Sequence, residues 1–408
     1  MKNIIFIDAS HVSAASSYEA CLSMGVNALF IINPDSYKGD TLVGIPHENL
    51  IYADTTNYHN ILLEISTREI NNIIAVFSLT DRAMRSSILV GSHLQVCTLD
   101  LALLFLLQKE IVSNLIPEFT PKTLPFTLAN LNKVFLCNMV EKYGKVVIKP
   151  SETSASIGSF FIKSKQDVDN LVDYITNTFS EKLTKGTWLA QQYIDGEFFS
   201  VEGYVCNRHV TFLGITYRKR LGNTLTAAYF PGESKLSESI IEKSQNAIRE
   251  LVKRSGYKNG YFHSEFISDS EKPFLIDANF GRIAGGAISQ LIADAYSISL
   301  SKVMEHVLSL SLFGKSCSEF IFPIKYRNQC LGITYGVDES CIFEKVSLPQ
   351  NLRSRHITLC NAGDQLYSTG IDGAGWVGIL AGNEVDVSLE IKEIKIININ
   401  GSVFNPVW

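Results

Sequence analysis

The chain has 408 residues, of which 46% are hydrophobic and 19% are charged, and 36 basic against 41 acidic residues give a formal net charge of -5. A charged fraction below the roughly 25% of an average soluble domain excludes a disordered chain, and the length favours two to three domains of about 150 residues. No basic block is longer than Arg218-Lys219-Arg220. The chain therefore lacks the clustered cationic face of a nucleic-acid-binding protein.

Membrane and secretion signals are also missing from the sequence pattern. The longest strongly apolar run, 101–107, is far shorter than the ~20 residues that span a bilayer, and the four apolar residues before Asp8 are fewer than the ~7 to 15 of a signal-peptide core. The eight cysteines are dispersed without a CxxC pair, so reduced thiols are expected and structural zinc is not. We expect a cytoplasmic protein without a membrane or nucleic-acid partner.

The first hundred residues predict a doubly wound parallel α/β domain, placed at 1–115. Its strands are continuous apolar runs, as expected for strands covered on both faces; they lie at 4–9, 28–33, 49–54 and 72–78. Asp8-Ala9-Ser10-His11 follows the first strand where a dinucleotide site would have glycines. A nicotinamide-binding role is therefore disfavoured.

A domain boundary is predicted after residue 115. Residues 99–115 have the pattern of one apolar helix, and Pro117, Pro121 and Pro125 mark a linker behind it. The remainder predicts mixed α and β structure in three parts, at 116–185, 186–310 and a strand-rich 311–408. Predicted strands lie near 145–149, 158–163, 187–194, 198–206, 209–217, 261–267, 273–278 and 389–398, and predicted helices at 167–180 and 237–255.

A literal GxGxxG pattern at 373–378 does not indicate a nucleotide loop. Such a loop follows a strand and opens a helix, whereas here the apolar, strand-like segment VGILAG continues from it. A turn is the better interpretation of this pattern. No GxxxxGK[ST] or GxSxG motif is present either.

Three other segments carry candidate chemistry, and the first is 145–164. A strand delivers Lys149, and a Ser-rich turn that includes Ser154 and Ser156 follows it. A lysine at the end of a buried strand is costly unless an anion meets it, and a loop of small residues lets backbone amides approach phosphate oxygens. This pattern suits a nucleoside triphosphate; the alternative is a hairpin with an ordinary surface lysine.

The second segment is 188–220. Its first strand ends at Gln191-Gln192-Tyr193-Ile194, which offers backbone donors and acceptors beside apolar side chains and can hold an adenine edge. In the following strand, period-2 alternation places Phe198, Ser200 and Glu202 on one face. The alternative is a simple antiparallel meander in which Arg218–Arg220 is a solvated strand end.

The third segment, 260–286, is the most informative. Glu265 and Asp277 each lie in an apolar strand, and a charged hairpin joins the two strands. Two carboxylates in adjacent buried strands repel each other unless cations neutralise them, and Asn279 can point to the same side. Hard oxygen ligands of this kind fit Mg²⁺, with Arg282 within reach. The alternative is a structural pairing of Glu265 with a lysine.

In this order and spacing, VVIKPS, QQYIDG with FSVEG, and HSEF with LIDAN resemble the ATP-grasp superfamily of carboxylate-amine ligases, particularly the amino-acid ligases that make dipeptides. The resemblance covers about residues 100–290. It implies an ATP-grasp fold of mixed α/β and α+β type, with the N-terminal doubly wound domain, a two-lobed ATP-binding region and a strand-rich C-terminal lobe. It also implies a reaction in which a carboxylate attacks the γ-phosphate of ATP and an amine then displaces phosphate from the acyl phosphate.

The resemblance also implies roles for individual residues. ATP would be bound by Lys149, Ser154, Ser156, Gln191, Tyr193 and Ile194. Mg²⁺, as two ions or with Mn²⁺ in its place, would be held by Glu265, Asp277 and Asn279. Charge on the transferring groups would be stabilised by Arg282 and Arg218, while His263 faces the same side as Glu265 and is either a substrate contact or a core histidine.

Four positions depart from the family pattern. A lysine expected early in the helix before the linker is absent, which leaves Lys109 as the candidate. The usual ribose glutamate falls on Phe198, which leaves Glu197 as the substitute. Asp277 replaces a glutamate, and Gly281 displaces the final arginine by one position, which hints at a local bulge.

Three functions remain open from the sequence. The first is an ATP- and Mg²⁺-dependent ligase that joins an amino acid to an amine, in the cytoplasm, where a homodimer would be ordinary for the family. The second is an ATP-grasp ligase or carboxylase for a different carboxylate, although no bicarbonate or biotin site is recognisable. The third is a non-catalytic ATP-binding protein.

Overall fold

The computed structural model describes residues 1–152, 158–222, 224–315, 322–323, 325–369 and 376–408. The N-terminal part forms a four-stranded parallel sheet in the order β3-β2-β1-β4. Its elements are β1 (Asn3–Ile7), α1 (Ala14–Ser23), β2 (Asn27–Ile32), β3 (Leu50–Tyr52), α2 (Tyr58–Thr67), β4 (Ile73–Phe77) and α3 (Asp81–His93). Ile5 and Ile7 pack against α2 and α3, while Ile4 and Phe6 lie in the core with α1. The predicted parallel α/β domain is confirmed.

The predicted single helix at 99–115 is wrong. The chain instead forms two short helices, α4 (Leu103–Leu106) and α5 (Lys109–Leu115), and Gln108 between them has an extended backbone. Leu103 and Leu106 are buried while Phe105 is 61% exposed. The run is apolar on all sides, so its composition alone does not require one continuous helix. The break makes Lys109 the first residue of a new helix.

The small lobe is an antiparallel sheet in the order β5-β8-β6-β7, with helices on one face. Its elements are β5 (Thr123–Phe126), α6 (Lys133–Tyr143), β6 (Val146–Pro150), β7 (Phe160–Ile162), α7 (Lys165–Thr178), α8 (Glu181–Thr184) and β8 (Trp188–Gln192). The predicted linker therefore includes an edge strand, which tolerates Pro125. Because β8 lies between β5 and β6, this sheet extends beyond the predicted boundary at 185.

An eight-stranded antiparallel sheet forms the centre of the molecule, in the order β13-β12-β9-β10-β11-β14-β18-β16. Its strands are β9 (Glu197–Cys206), β10 (His209–Leu221), β11 (Thr224–Phe230), β12 (Gly260–Ser268), β13 (Pro273–Asp277), β14 (Cys330–Tyr335), β16 (Arg355–Thr358) and β18 (Gly378–Asn383), and the helices between them are α9 (Glu238–Ser255), α10 (Ile288–Tyr296) and α11 (Leu300–Phe313). The C-terminal region thus shares a sheet with the central lobe, because β14 pairs with β11.

The remaining strands form a small sheet in the order β17-β15-β19-β20. They are β15 (Cys341–Ser347), β17 (Gln365–Leu366), β19 (Lys395–Asn398) and β20 (Val403–Phe404), with helix α12 (Glu384–Glu390) before the last two. The predicted strand at 389–398 is therefore wrong over its first half. The side chain of Asn383 caps α12 by accepting from the Val385 N–H, and acidic residues in the first turn favour the helix.

Several absences hold for the described part of the chain. None of its helices has the length and apolar character needed to cross a membrane. Its seven cysteines are free thiols. The first half of the GxGxxG pattern, at 373–375, lies outside the described residues, and Gly378 begins β18.

Candidate active site

The predicted metal residues lie on one face of the central sheet. Asp277 on β13 is directly opposite Glu265 on β12, which is opposite Ser200 on β9, which is opposite Thr216 on β10. Residues opposite each other in antiparallel strands point to the same side. The two carboxylates are therefore neighbours in one row of polar residues across the sheet, and this row of Asp277, Glu265, Ser200 and Thr216 is the rung.

A buried hydrogen-bond network supports Glu265 from the next rung. Glu202, which is 1% exposed, accepts hydrogen bonds from Ser200 Oγ at 2.7 Å and from Thr216 Oγ1 at 2.8 Å. His263 Nδ1 lies 2.9 Å from both carboxylate oxygens of Glu202, and its Nε2 lies 3.4 Å from Glu265 Oε1. His263 is itself buried, so it lies behind Glu265, where it orients this carboxylate.

The network holds both glutamates ionised. Burial alone would raise the pKa of Glu265, but the hydrogen bond from His263 and the charge of Arg218 outweigh burial and hold this pKa well below its usual range. Burial would likewise raise the pKa of Glu202, and His263 together with the Ser200 and Thr216 hydroxyls lowers it. Burial opposes protonation of His263, yet Glu202 and Glu265 raise its pKa. The negative charges of Glu202 and Glu265 are thus balanced by the positive charges of His263 and Arg218.

Each carboxylate of the rung also contacts a basic side chain. Arg218 Nη1 lies 2.9 Å from Glu265 Oε1, and Lys109 Nζ lies 3.1 Å from Asp277 Oδ2. Lys109, the substitute predicted for a missing lysine, therefore reaches the site from the start of α5. Arg218 Nε is buried without a hydrogen-bond acceptor among the described residues. An unpaired buried donor is costly unless an acceptor such as a phosphate oxygen meets it.

Lys149 approaches the same carboxylates from the small lobe. Its Nζ lies 3.3 Å from the carbonyl oxygen of Ile276, next to Asp277 in the chain. Burial and the charge of Lys109 lower the pKa of Lys149 to about 8, although Asp277 and Glu265 partly oppose them. The predicted phosphate lysine thus lies where the two lobes meet, close to Asp277 on the rung.

Two of the predicted base-binding residues, Gln191 and Tyr193, lie on the small-lobe face that points away from α6 and α7, because Ala190 packs into the core with these helices. Gln191 is buried and donates a hydrogen bond to Thr123 Oγ1 at 2.9 Å. Tyr193 packs edge to face against Phe161, with ring centroids 5.6 Å apart. Ile194 is buried beside them. The structure therefore brings these three predicted residues together at the end of β8.

The displaced arginine hinted at a bulge after β13, but this segment keeps the register of the Glu265–Asp277 pair through Phe262 and Phe280, and the register shift lies between Glu265 and Phe266. The segment is instead marked by positive φ angles. Asn279 has a φ of 44° and Gly281 a φ of 91°, and the Asn279 carbonyl accepts a hydrogen bond from the His263 N–H at 3.0 Å. Arg282 then forms a two-pronged ion pair with Asp81 at the start of α3, at 2.5 Å and 2.8 Å. The charges of Glu265 and Asp277 also raise the pKa of Arg282 against the effect of burial. Arg282 is thus beside the rung, but it is held by the N-terminal domain.

Gly281 is required by close packing as well as by its backbone conformation. A Cβ at this position would lie 2.6 Å from Leu103 Cδ1 and 2.9 Å from Met84 Sδ. Both contacts come from the N-terminal region. Glycine at this position therefore lets α3 and α4 pack against the segment that follows Asp277.

One of the predicted residues, Glu197, is not brought to this site. Glu197 accepts a hydrogen bond from Tyr217 Oη, and strand alternation places it on the face opposite Ser200. Phe198 occupies the site face instead, buried under Arg220, whose guanidinium lies 4.5 Å from the ring centroid. The predicted ribose contact of Glu197 is therefore not supported. Ser154 and Ser156 lie outside the described residues.

The donor set of the rung fits a magnesium–phosphate site. Glu265 and Asp277 offer hard oxygen ligands on adjacent strands, and Mg²⁺ typically uses one or two carboxylates and completes its shell with water and phosphate. Lys149, Lys109 and Arg218 offer positive charge around the same point. No group of three or more acidic, histidine or cysteine side chains with metal-binding geometry occurs in the described ranges. The site therefore suits an ion that also binds phosphate.

Three residues near this site, Asp81, Lys145 and Thr216, were given no role from the sequence, and Glu202 was placed on the site face without a role. Asp81 is about 200 positions from Arg282, and no local pattern links them. Lys145, whose ammonium group lies over the rings of Phe161 and Tyr193, begins the segment that contains Lys149. Glu202 and Thr216 alternate with apolar residues on strands β9 and β10, so strand alternation was the one signal that pointed to them.

Comparisons with known proteins agree with this geometry. Residues 143–290 match the model of the ATP-grasp domain, while no curated protein matches the sequence at a significant level. The L-amino acid ligase from Bacillus licheniformis has a similar structure, with a TM-score of 0.76 at 18% identity over 98% of this chain and 99% of that chain.

Two further solved structures have the same fold. Phosphoribosylglycinamide synthetase from Anaerococcus prevotii aligns with a TM-score of 0.67 at 15% identity, over 97% of this chain and 99% of that chain. The biotin carboxylase domain of the Hydrogenobacter thermophilus 2-oxoglutarate carboxylase, in complex with MgADP and bicarbonate, aligns with a TM-score of 0.73 at 13% identity, over 99% and 91%. Residues 143–290 are therefore an ATP-grasp domain, and the predicted ATP-grasp fold is confirmed.

Proposed function

We propose that the protein is an ATP- and Mg²⁺-dependent carboxylate–amine ligase that joins two amino acids through an acyl phosphate and releases ADP and phosphate. The observation that carries the proposal is the rung in which Glu265 and Asp277 lie side by side, opposite the ammonium group of Lys149. Phosphoryl transfer depends mainly on positioning and on charge neutralisation. Glu265, Asp277 and Lys149 would provide this positioning and this charge neutralisation at one point of the sheet.

The residues on the rung and next to it would have different roles in such a reaction. Glu265, Asp277 and Asn279 would hold Mg²⁺, as one or two ions, which when bound neutralises phosphate charge. Lys149 and Lys109 contact phosphate oxygens of ATP. Arg218 and Arg282 stabilise the charge that develops on the transferring phosphoryl group and on the acyl phosphate.

The reaction balances without a further reagent. A carboxylate oxygen of the first substrate attacks the γ-phosphorus, and the bond to ADP breaks. The nitrogen of the second substrate then attacks the acyl carbon, phosphate leaves with the bonding electron pair, and the nitrogen loses a proton. Base-binding residues Gln191, Tyr193 and Ile194 position the nucleotide for the first step.

Amino acids are the favoured substrates because the Bacillus licheniformis L-amino acid ligase aligns with almost the full length of both chains. A second candidate is a ligase or carboxylase for another carboxylate. It is favoured by the carboxylase domain that aligns over 99% of this chain. The cytoplasm, which supplies ATP, is the compartment we propose, and a homodimer is the assembly to test.

The test is a phosphate-release assay on the full chain with ATP, Mg²⁺ and a matrix of paired amino acids, followed by mass analysis of the products. Phosphate released only when two amino acids are present, together with a dipeptide mass, is the expected result. Release with bicarbonate or with a non-amino-acid carboxylate would favour the second candidate. Binding of ATP without turnover on any pair would contradict the proposed ligase.

A further inference from the structure

Lys145 lies on the same face of the small-lobe sheet as the phosphate lysine. Val146 and Ile148 of β6 pack into the core with α6 and α7, so the alternate positions Lys145, Val147 and Lys149 point to the opposite face. Val146 is paired with Gln192, which places Lys145 beside Tyr193 at the end of β8. Lys145 therefore belongs to the surface that faces the metal rung.

Two aromatic rings hold the ammonium group of Lys145. Its Nζ lies 3.8 Å from the ring centroid of Phe161 and 3.9 Å from that of Tyr193. The two rings are nearly perpendicular, at 85°, so they form a corner with the ammonium group inside it. Contacts at this distance are within the range of cation–π attraction and hold the side chain in one place.

The ammonium group retains hydrogen-bonding capacity in this corner. Within the described parts of the chain, no carboxylate or carbonyl oxygen forms a hydrogen bond or ion pair with Lys145. Burial and the charge of Lys163 lower the pKa of Lys145, and Asp195 partly opposes them. A positioned N–H donor without an oxygen acceptor is an arrangement that suits a ligand.

The spacing along β6 indicates which part of a nucleotide meets Lys145. Lys145 precedes Lys149 by four positions along the strand, a distance of about 13 Å. Lys149 lies at the carboxylate rung, the phosphate end of the proposed site. Lys145 lies at the other end, beside Tyr193, where the base of an extended nucleoside triphosphate would be.

We propose that Lys145 contacts the nucleobase, and that it donates a hydrogen bond to an acceptor atom on the edge of the base. The inference rests on the proposed nucleotide site. Phe161 and Tyr193 are positioning residues for this contact, because they fix the ammonium group at the base end of the face. Lys145 thereby contributes to affinity for the base and not for the triphosphate.

The test compares the binding of MgATP and of magnesium tripolyphosphate to the full chain by calorimetry, without amino acids. The variants are Lys145→Met, which keeps the aliphatic stem, and Lys163→Met, a matched control on the neighbouring strand end. We expect Lys145→Met to weaken ATP binding by about ten-fold, as for the loss of one charge-assisted hydrogen bond. Tripolyphosphate binding by this variant, and both affinities of Lys163→Met, should stay at the wild-type values.

Each other outcome contradicts the inference in a recognisable way. Unchanged ATP affinity in Lys145→Met would mean that the lysine only braces Phe161 against Tyr193. Equal loss of ATP and tripolyphosphate binding would mean that Lys145 acts through general charge or through the fold, and circular dichroism separates these two. A wild-type protein that binds no ATP would instead overturn the proposed function itself.

Discussion

At the scale of single residues, the site is a set of opposite charges placed within hydrogen-bond distance of one another. Glu265 and Asp277 would repel each other, yet Arg218 and Lys109 each neutralise one of them. Removing one partner of such a largely buried pair leaves an uncompensated charge, which costs more than the pair contributes. A substitution that keeps the shape of the side chain and its capacity to accept a hydrogen bond is therefore the least disruptive one here.

Glu265→Gln is the substitution that tests the metal assignment. The amide keeps the size of the side chain and still accepts from Arg218, so the fold should persist. Metal-dependent ATP turnover should fall by at least roughly 100-fold, the scale seen when one charge-stabilising group is removed from a catalytic site. The control is Glu271→Gln, at an exposed position of the same hairpin. Wild-type turnover in Glu265→Gln would show that Glu265 is not a metal ligand.

Lys149 predicts a pH dependence of ATP binding. Burial lowers its pKa to about 8, so the ammonium group is charged below this pH and loses its charge as the pH rises through it. The Kd for MgATP should therefore be constant on the acid side of pH 8 and should increase on the alkaline side. Lys149→Arg stays protonated throughout. If the alkaline increase persists in this variant, another group causes it.

At the scale of elements, the central sheet determines how well the metal ligand is oriented. The pairing of strands β9, β10 and β12 brings Thr216 and His263 to Glu202, and it places His263 next to Glu265. Residues that orient a ligand from behind typically change metal affinity or activity by about 10- to 100-fold. The register of these three strands therefore influences how well the carboxylate of Glu265 is oriented.

Glu202→Gln should weaken Mn²⁺ binding by about ten-fold or more, because an amide cannot accept hydrogen bonds from His263 on both of its terminal atoms. The measurement is titration of the full chain with Mn²⁺, followed by electron paramagnetic resonance. The control is Glu233→Gln, which removes another glutamate that accepts from Ile215 N–H and Tyr326 Oη but lies away from the rung. Equal Mn²⁺ affinity in both variants would restrict Glu202 to a structural role.

At the scale of the whole molecule, the N-terminal domain reaches the ATP-binding region through α3. Asp81 forms an ion pair with Arg282. Arg85, one turn further along α3, forms an ion pair with Glu152, which follows β6 in the chain. The first pair is largely buried and the second is exposed on both sides. Exposed pairs contribute about 0 to 1 kcal/mol and buried ones are more costly to break. The first contact is therefore the one that couples the two regions.

Asp81→Asn should lower kcat by about ten-fold, because a freed Arg282 no longer points at the transferring group. The KM for ATP should change little, since Lys149 and Lys109 are untouched. Glu152→Gln, which weakens only the exposed pair, should behave like the wild type. The double variant with Arg282→Gln should lose less activity than the sum of the two single changes, and strict additivity would mean that Asp81 acts independently of Arg282.

Local sequence patterns predicted most of the elements and much of the candidate site. The buried strands of the parallel sheet were predicted because continuous apolar runs of β-branched residues have few alternatives. The prediction failed at 99–115 and 389–398, where an apolar or alternating pattern does not reveal a break or a helix cap. Within the site, Glu265, Asp277 and Lys149 share short motifs with a known superfamily, and the structure brings these three together.

The sequence by itself therefore determined the superfamily, the parallel domain and the carboxylates of the rung, because each depends on residues within a few positions of one another. Only the tertiary structure decided that Asp81 holds Arg282, that Glu202 supports His263, and that Lys145 lies in an aromatic corner. These contacts join residues that are tens to hundreds of positions apart. Their strength comes from burial, and burial exists only after the sheets and domains have packed together.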